Sequence, residues 1–344
     1  MSNFPLSYKL SWLPRFLKPS LAGQAGAPRS EQFLADPPKE TARLVFLGDI
    51  SAVVNRASPE IDPALRDIIR SADLVVANCE SPVVARPGFR LATRLGLRHA
   101  MTPEFLDSVI KAAGVDPAKL VLSLANNHIL DQGVAGFDET VSALAARVIR
   151  TAGTKTDGPV RRVEAGKLTV GLMAFTQWRN ASAAEFSGRV TMLQDVAGRA
   201  GDDEPQVDLL CAVPHWDFEF RHFPQPETRT LARKLVESGA GLIVGHHAHV
   251  VQPAERLGGA LVAYGLGDFL GTALARQPWP GRIGVVLAVD ISIDPATRGK
   301  IAVYRFHPFL RIRQRGNERL APIDAMEGRT GAKARKRLAA IFGD

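Results

Sequence analysis

The chain has 344 residues, 46% of them hydrophobic and 23% charged, with a formal net charge of +8. That balance excludes a chain dominated by disorder, and only two cysteines, Cys79 and Cys211, exclude a disulfide scaffold. No run reaches the ~18 to 20 apolar residues that a membrane span needs.

Residues 1–40 read as an N-terminal extension. Lys9, Pro14, Arg15 and Lys18 interrupt the apolar character of the first twenty residues, so no secretory signal is expected. The expected location is cytoplasmic or peripheral to a membrane. Phe4, Tyr8, Leu10, Trp12, Leu13, Phe16 and Leu17 mixed with basic residues suit peripheral contact with an anionic membrane, or packing on the domain. Pro5 and Pro14 argue against a continuous helix there.

Short apolar runs then alternate with amphipathic stretches. Strands are expected at 44–47, 74–77, 121–125, 169–174, 209–213 and 241–244, and helices at 63–70, 103–113, 134–146 and 227–237, with Pro63 and Pro103 as helix-start signals. The alternation predicts an α/β layered fold. Residues 176–208 are polar and read as a long excursion or lid. Strands at 261–264, 283–291 and 301–306 without intervening helices predict a β-rich layer packed on the first half. Cys79 and Cys211 sit in apolar stretches and read as buried free thiols.

Residues 311–344 read as a basic tail, with Arg311, Arg313, Arg315 and Arg319 followed by Lys333, Arg335, Lys336 and Arg337. No zinc-finger spacing, RNA-binding signature or aromatic-basic interleaving accompanies them, so no nucleic-acid partner is expected.

Ligand-type residues fall at the carboxyl ends of five predicted strands, where open α/β sheets build their sites. They are Asp49 after Gly48, Asn78 and Glu80, the run 126–128 with Asp131, His215 with Asp217 and Glu219, and Gly245-His246-His247-Ala248-His249. In an extended chain His247 and His249 would point to one face. Mixed oxygen and imidazole ligands suit zinc, manganese or iron(II) rather than calcium. Arg86, Arg90, Arg94 and Arg98 recur every four residues, which on a helix would make one basic stripe for carboxylates or phosphates. Asp217 and Asp268 add negative charge that could bind a cation or repel phosphate.

Three segments, Ser123 to Gly133, Gly245 to Pro253 and Tyr264 to Phe269, resemble the capsule-synthesis CapA (poly-gamma-glutamate synthesis) family, which is similar to calcineurin-like metallophosphoesterases. The resemblance spans about Leu44 to Pro308 and makes 41–310 a CapA-like, metallophosphoesterase-like domain. It implies an α/β layered fold with mixed β-sheets flanked by helices and one or two divalent ions per chain. Asp49, Glu80 and His249 would serve one ion and Asn127, His215 and His247 the second, with Glu80 bridging. His128, with Asp131, would act near the leaving group, while His246 and Trp216, with Arg86, Arg90 and Arg94, are candidate substrate contacts.

The implied activity is hydrolysis or transfer at an ester or amide bond by metal-bound water, on an anionic polymer or a phosphate-containing substrate, in poly-gamma-glutamate or capsule metabolism. A phosphoesterase for small esters and a non-catalytic assembly factor are the alternatives. Ser51 stands where metallophosphoesterases commonly place a histidine, which leaves the first metal position in question.

Overall fold

A computed structural model describes residues 2–51, 57–94, 97–197, 206–271, 277–314 and 316–343. In chain order the strands are β1 (Ser30–Gln32), β2 (Thr41–Ser51), β3 (Glu60–Ile61), β4 (Leu74–Asn78), β5 (Leu120–Ser123) and β6 (Arg150–Ala152). Then come β7 (Arg161–Ala165), β8 (Leu168–Thr176), β9 (Leu209–His215), β10 (Leu242–Val244), β11 (Ala254–Leu257) and β12 (Ala260–Ala263). The chain closes with β13 (Asp268–Gly271), β14 (Ile283–Ser292), β15 (Ile301–Arg313) and β16 (Glu318–Pro322). It builds half of one sheet, then the whole of a second, and returns to finish the first.

The first sheet runs β3-β16-β15-β14-β2-β4-β5-β6 and the second β11-β12-β10-β9-β8-β7. Pairs β2/β4, β4/β5, β8/β9 and β9/β10 are parallel, while β14 joins β2 antiparallel, so the sheet is mixed. The late strands therefore form no separate layer: β12 joins β10 in the second sheet, while β14 and β15 extend the first, where β2 offers an edge to β14. The described residues of 311–344 are likewise built into the fold: they end β15, form β16 and close with a helix, Gly328–Phe342, that buries Leu338, Ile341 and Phe342.

Side-chain alternation explains the layering. Leu172, Cys211 and Leu242 join the core shared with the first sheet, whereas Met173, Ala212 and Ile243 pack with Ala232 and Leu235 of the helix Pro226–Glu237. Strands buried on both faces read as unbroken apolar runs, which is why they were visible in the sequence. The helices Pro63–Arg70 and Pro103–Ala113 start where prolines and the caps Asp62 and Thr102 supply acceptors to orphan N–H groups.

The first twenty residues depart from expectation. A helix spans Leu6–Leu17 in spite of its prolines: Pro5 stands at the N-cap, and Pro14 falls in the last turn, where little helix follows to be disturbed. Tyr8 is buried, and Trp12 and Phe16 pack on Phe220 with ring centroids 5.5 and 5.1 Å away. The opposite face exposes Leu6, Leu10, Leu13 and Leu17. No helix among the described residues is long and apolar enough to cross a membrane. Part of 176–208 also packs down, burying Phe186, Val190 and Met192, and Cys79 and Cys211 are free and buried.

Candidate metal centre

Parallel pairing brings the carboxyl ends of β2, β4 and β5 from one sheet against those of β8, β9 and β10 from the other. Gly48 admits the close approach of β13: a side chain there would meet the Gly267 carbonyl oxygen at 1.8 Å. Asp49 follows, buried, accepting from Asn78 Nδ2 at 2.7 Å and from the His247 backbone N–H at 3.1 Å. Asn78 also accepts from Asn126 at 3.2 Å, while Asn127 places Oδ1 2.8 Å from His215 Nε2.

Glu80 lies fully buried among these groups. Its Oε2 accepts from the Ser51 hydroxyl, whereas Oε1 has no hydrogen-bond donor and faces His249 Nε2 at 3.5 Å and His215 Nε2 at 3.6 Å. His247 Nδ1 is also buried and unpartnered. A buried carboxylate oxygen without a donor is costly. An oxygen ringed by imidazole nitrogens is the arrangement that a divalent cation satisfies. Glu80, His215 and His247 bring ligand atoms within 4.8 Å of one another, as do Asp49, His249 and Asp268.

The histidines do not reach the site as an extended strand. β10 ends at Val244, and His247 and His249 adopt positive φ of 88° and 51°. Their rings converge at 6.0 Å through two left-handed residues, a conformation that costs on the order of 1–3 kcal/mol each and is typical of functional sites. Gly245 is required because a side chain there would strike the Tyr264 carbonyl oxygen at 2.0 Å.

Protonation follows the packing. Burial pushes Glu80 up to about 8 and also raises Asp49. Burial works against the His249 imidazolium, but Glu80, Asp268 and Asp49 outweigh it and raise His249 well above its usual value. Burial and neighbouring imidazoles hold His215 and His247 well below theirs, so both are neutral, the ligand form. His128 also overcomes burial, because Asp131 Oδ2 lies 2.6 Å from its Nδ1 and raises its pKa.

The model for the bacterial capsule synthesis protein PGA_cap matches residues 43–273. The chain belongs to the PGA_cap family. It is similar to the PGA biosynthesis protein CapA of Bacillus subtilis, 26% identical over 72% of this chain and 67% of that protein. It is also similar to the capsule biosynthesis protein CapA of Bacillus anthracis, 27% identical over 67% of this chain and 60% of that one. Among solved structures it resembles the "Putative 5'-Nucleotidase from Staphylococcus aureus in complex with alpha-ketoglutarate" at a TM-score of 0.51 and 14% identity, over 87% of this chain and 58% of that one. That likeness concerns the fold, which is of the calcineurin-like metallophosphoesterase type.

Within this PGA_cap chain a cavity of about 430 Å³ reaches the centre. Asn127, His128, Asp131 and His249 line it, with Phe4, Tyr8 and Trp12 across from them. Several expected substrate contacts are corrected. His246 is buried and its Nε2 donates to the Leu47 carbonyl at 3.1 Å, clamping the strand that carries Asp49. Trp216 is wholly buried and its indole N–H donates to Tyr264 O at 2.9 Å, so it packs the core instead of walling the cleft.

Arg86, Arg90, Arg94 and Arg98 do not form one helical stripe, since among the described residues the helix spans Arg90–Arg94 and both Arg86 and Arg98 lie outside helix. Arg86 is exposed, and the side chains of Arg90 and Arg94 lie outside the described residues. Arg98 reaches the cavity, where it donates to the Asp131 carbonyl at 2.6 Å and lies 3.8 Å from the Phe89 ring centroid. Asp217 is bound up in its own turn, accepting from Phe218 N at 2.7 Å and Gln225 Nε2 at 3.1 Å, and is not among the residues that line the cavity.

Other site residues gave little signal in the sequence. His99 stacks on His128 at 3.5 Å, Asn180 reaches His128 Nδ1 at 3.2 Å, and the buried Arg311 donates to Asp268 at 2.9 Å and Glu318 at 3.0 Å. Arg311 is thus a core ion-pair residue, not part of a solvated tail. Two facts could have hinted at it: it stands in an apolar run, and Asp268 needs a cation.

Proposed function

We propose that the protein is a metal-dependent hydrolase or transferase acting at an ester or amide bond of an anionic polymer of the poly-gamma-glutamate or capsule type. The observation that carries this reading is the buried, donorless Glu80 Oε1 between His215 and His249. Asp49, Glu80 and His249 on one side and Asn127, His215 and His247 on the other would hold one or two ions of manganese, zinc or iron. Such an ion supplies Lewis acidity to the scissile group and lowers the pKa of water.

The chain's own residues do the rest. His128, whose pKa Asp131 raises against the effect of burial, lines the cavity and in its protonated form can pass a proton to the leaving group. Arg98 gives the cavity a cation for a carboxylate or phosphate. Ser51, in the place of a ligand histidine, orients Glu80 by donating to it. The stripe Leu6, Leu10, Leu13 and Leu17, flanked by exposed Lys9 and Lys18, supports peripheral contact of the N-terminal helix with an anionic membrane.

The test is metal analysis of protein purified without added metal, followed by assay with manganese on poly-gamma-glutamate and on an aryl phosphate, with Asn127→Ala as control. Turnover of the polymer that is lost in Asn127→Ala is expected. Turnover of the aryl phosphate alone would indicate a small-ester phosphoesterase, and no metal with no turnover would leave an assembly role.

A further inference from the structure

Tyr8 lies 239 positions before His247, outside the segment that matches the family, yet its hydroxyl is 3.1 Å from His247 Nε2. His247 Nδ1 has no partner in the protein. A neutral imidazole carries one N–H, so an acceptor at Nε2 fixes the proton there and leaves the buried Nδ1 lone pair free to serve as a ligand. The Tyr8 hydroxyl fills that acceptor place and can itself donate to the Glu219 carboxylate beside it.

The contact is built. Tyr8 is buried, and Phe4 and Trp178 flank it and His247 with ring centroids 4.5 to 6.2 Å apart. Trp12 Nε1 donates to Glu219 Oε2 at 2.5 Å and Arg15 Nε to Glu219 O at 2.8 Å, pinning the helix to the loop after β9. Three side chains on the inner helix face thus converge on one acidic residue beside the site.

The geometry points to Tyr8 as a positioning residue of the metal centre, the outer hydrogen-bond partner that fixes the tautomer and ring angle of His247 from the N-terminal helix. This rests on the metal-centre reading above. Outer partners of ligand histidines set metal affinity by about 10- to 100-fold.

The test is titration of the full-length metal-free protein with Mn²⁺, and with Co²⁺ followed by its visible absorption spectrum, for the wild type, Tyr8→Phe, Trp12→Phe and His247→Ala. Tyr8→Phe keeps the ring packing and removes only the hydroxyl. It should weaken binding of an ion by about tenfold or more and change the Co²⁺ spectrum. Trp12→Phe loosens the helix but keeps the hydroxyl, so its spectrum should stay that of the wild type. Wild-type affinity and spectrum in Tyr8→Phe, with loss of an ion in His247→Ala, would overturn the role of Tyr8. No loss in His247→Ala would instead overturn the metal centre itself. An equal spectral change in Tyr8→Phe and Trp12→Phe would assign the effect to helix docking and reject the specific Tyr8 contact.

Discussion

His249 Nδ1 lies 2.6 Å from Asp268 Oδ1, and the second oxygen of Asp268 is held by Arg311 at 2.9 Å. With both oxygens engaged, Asp268 would serve as the outer partner of His249 in the proposed metal centre and leave Nε2 for Glu80's side of it. Asp268→Asn removes the charge while keeping the shape. Its Mn²⁺ affinity, read by calorimetric titration, should fall about 10- to 100-fold. Unchanged affinity would show that the contact does not tune the site.

Arg311 is buried between two carboxylates and also donates to Gln277 and to the Gly281 carbonyl, each at 2.7 Å. Removing a partner from such a cluster leaves buried charge uncompensated. Arg311→Met should lower stability by about 3–5 kcal/mol in urea unfolding. Combining it with Asp268→Asn and Glu318→Gln should recover part of the loss, since the stranded charges are then gone.

Metal removal should destabilise the protein, because Asp49 and Glu80 are buried together, and burial first, with the Asp49 carboxylate adding to it, raises the pKa of Glu80. Saturation with Mn²⁺ at about 100 times its dissociation constant should return about 2.7 kcal/mol. Differential scanning calorimetry with and without chelator measures it. Glu80→Gln should abolish most of the response, and an equal response in that variant would place the ion elsewhere.

His222 carries a pH dependence away from the ligands. Its Nδ1 donates to the Val251 carbonyl at 2.8 Å and its Nε2 accepts from Arg337 at 3.3 Å. Burial and the guanidinium push it down to about 3. The folded state therefore stays neutral where the unfolded chain, titrating near 6.5, takes up a proton. This stability is complete above pH 6.5 and is lost as pH falls toward 3, on the order of 3 kcal/mol by pH 4. Urea unfolding across that range should show a steeper decline for the wild type than for His222→Gln. Parallel curves would refute the assignment.

Gly245 passes under the Tyr264 carbonyl and within 2.3 Å, measured from an added Cβ, of Trp216 Nε1. Gly245→Ala must push backbone apart where β10 hands over to the histidine loop. A loss of about 3 kcal/mol is expected, with weakened Mn²⁺ binding. Wild-type stability by chemical unfolding would contradict the tight packing.

Much of the scaffold was legible because its signals are local. The helices at 63–70 and 103–113 were read with the bounds they have, since a proline and a capping side chain act within three residues. Asp49, Glu80, Asn127, His215 and the 245–249 run come together because parallel strands deliver their last residues to one edge. What alternation could not give was the route: His247 and His249 meet through left-handed turns, not along a strand.

The positions of the main strands along the chain and the residue types at their ends were legible in the sequence itself, through periodicity and strand-end chemistry that span a few residues. Tertiary structure alone decided that Ser51 supports Glu80, that His246, Trp216 and Asp217 turn inward, that Arg311 neutralises Asp268 and that Tyr8 meets His247. These pairings join residues far apart in the chain, and nothing in either partner's neighbourhood specifies the other. They exist because the two sheets and the N-terminal helix bury polar atoms against one another, and each buried atom must find a partner there.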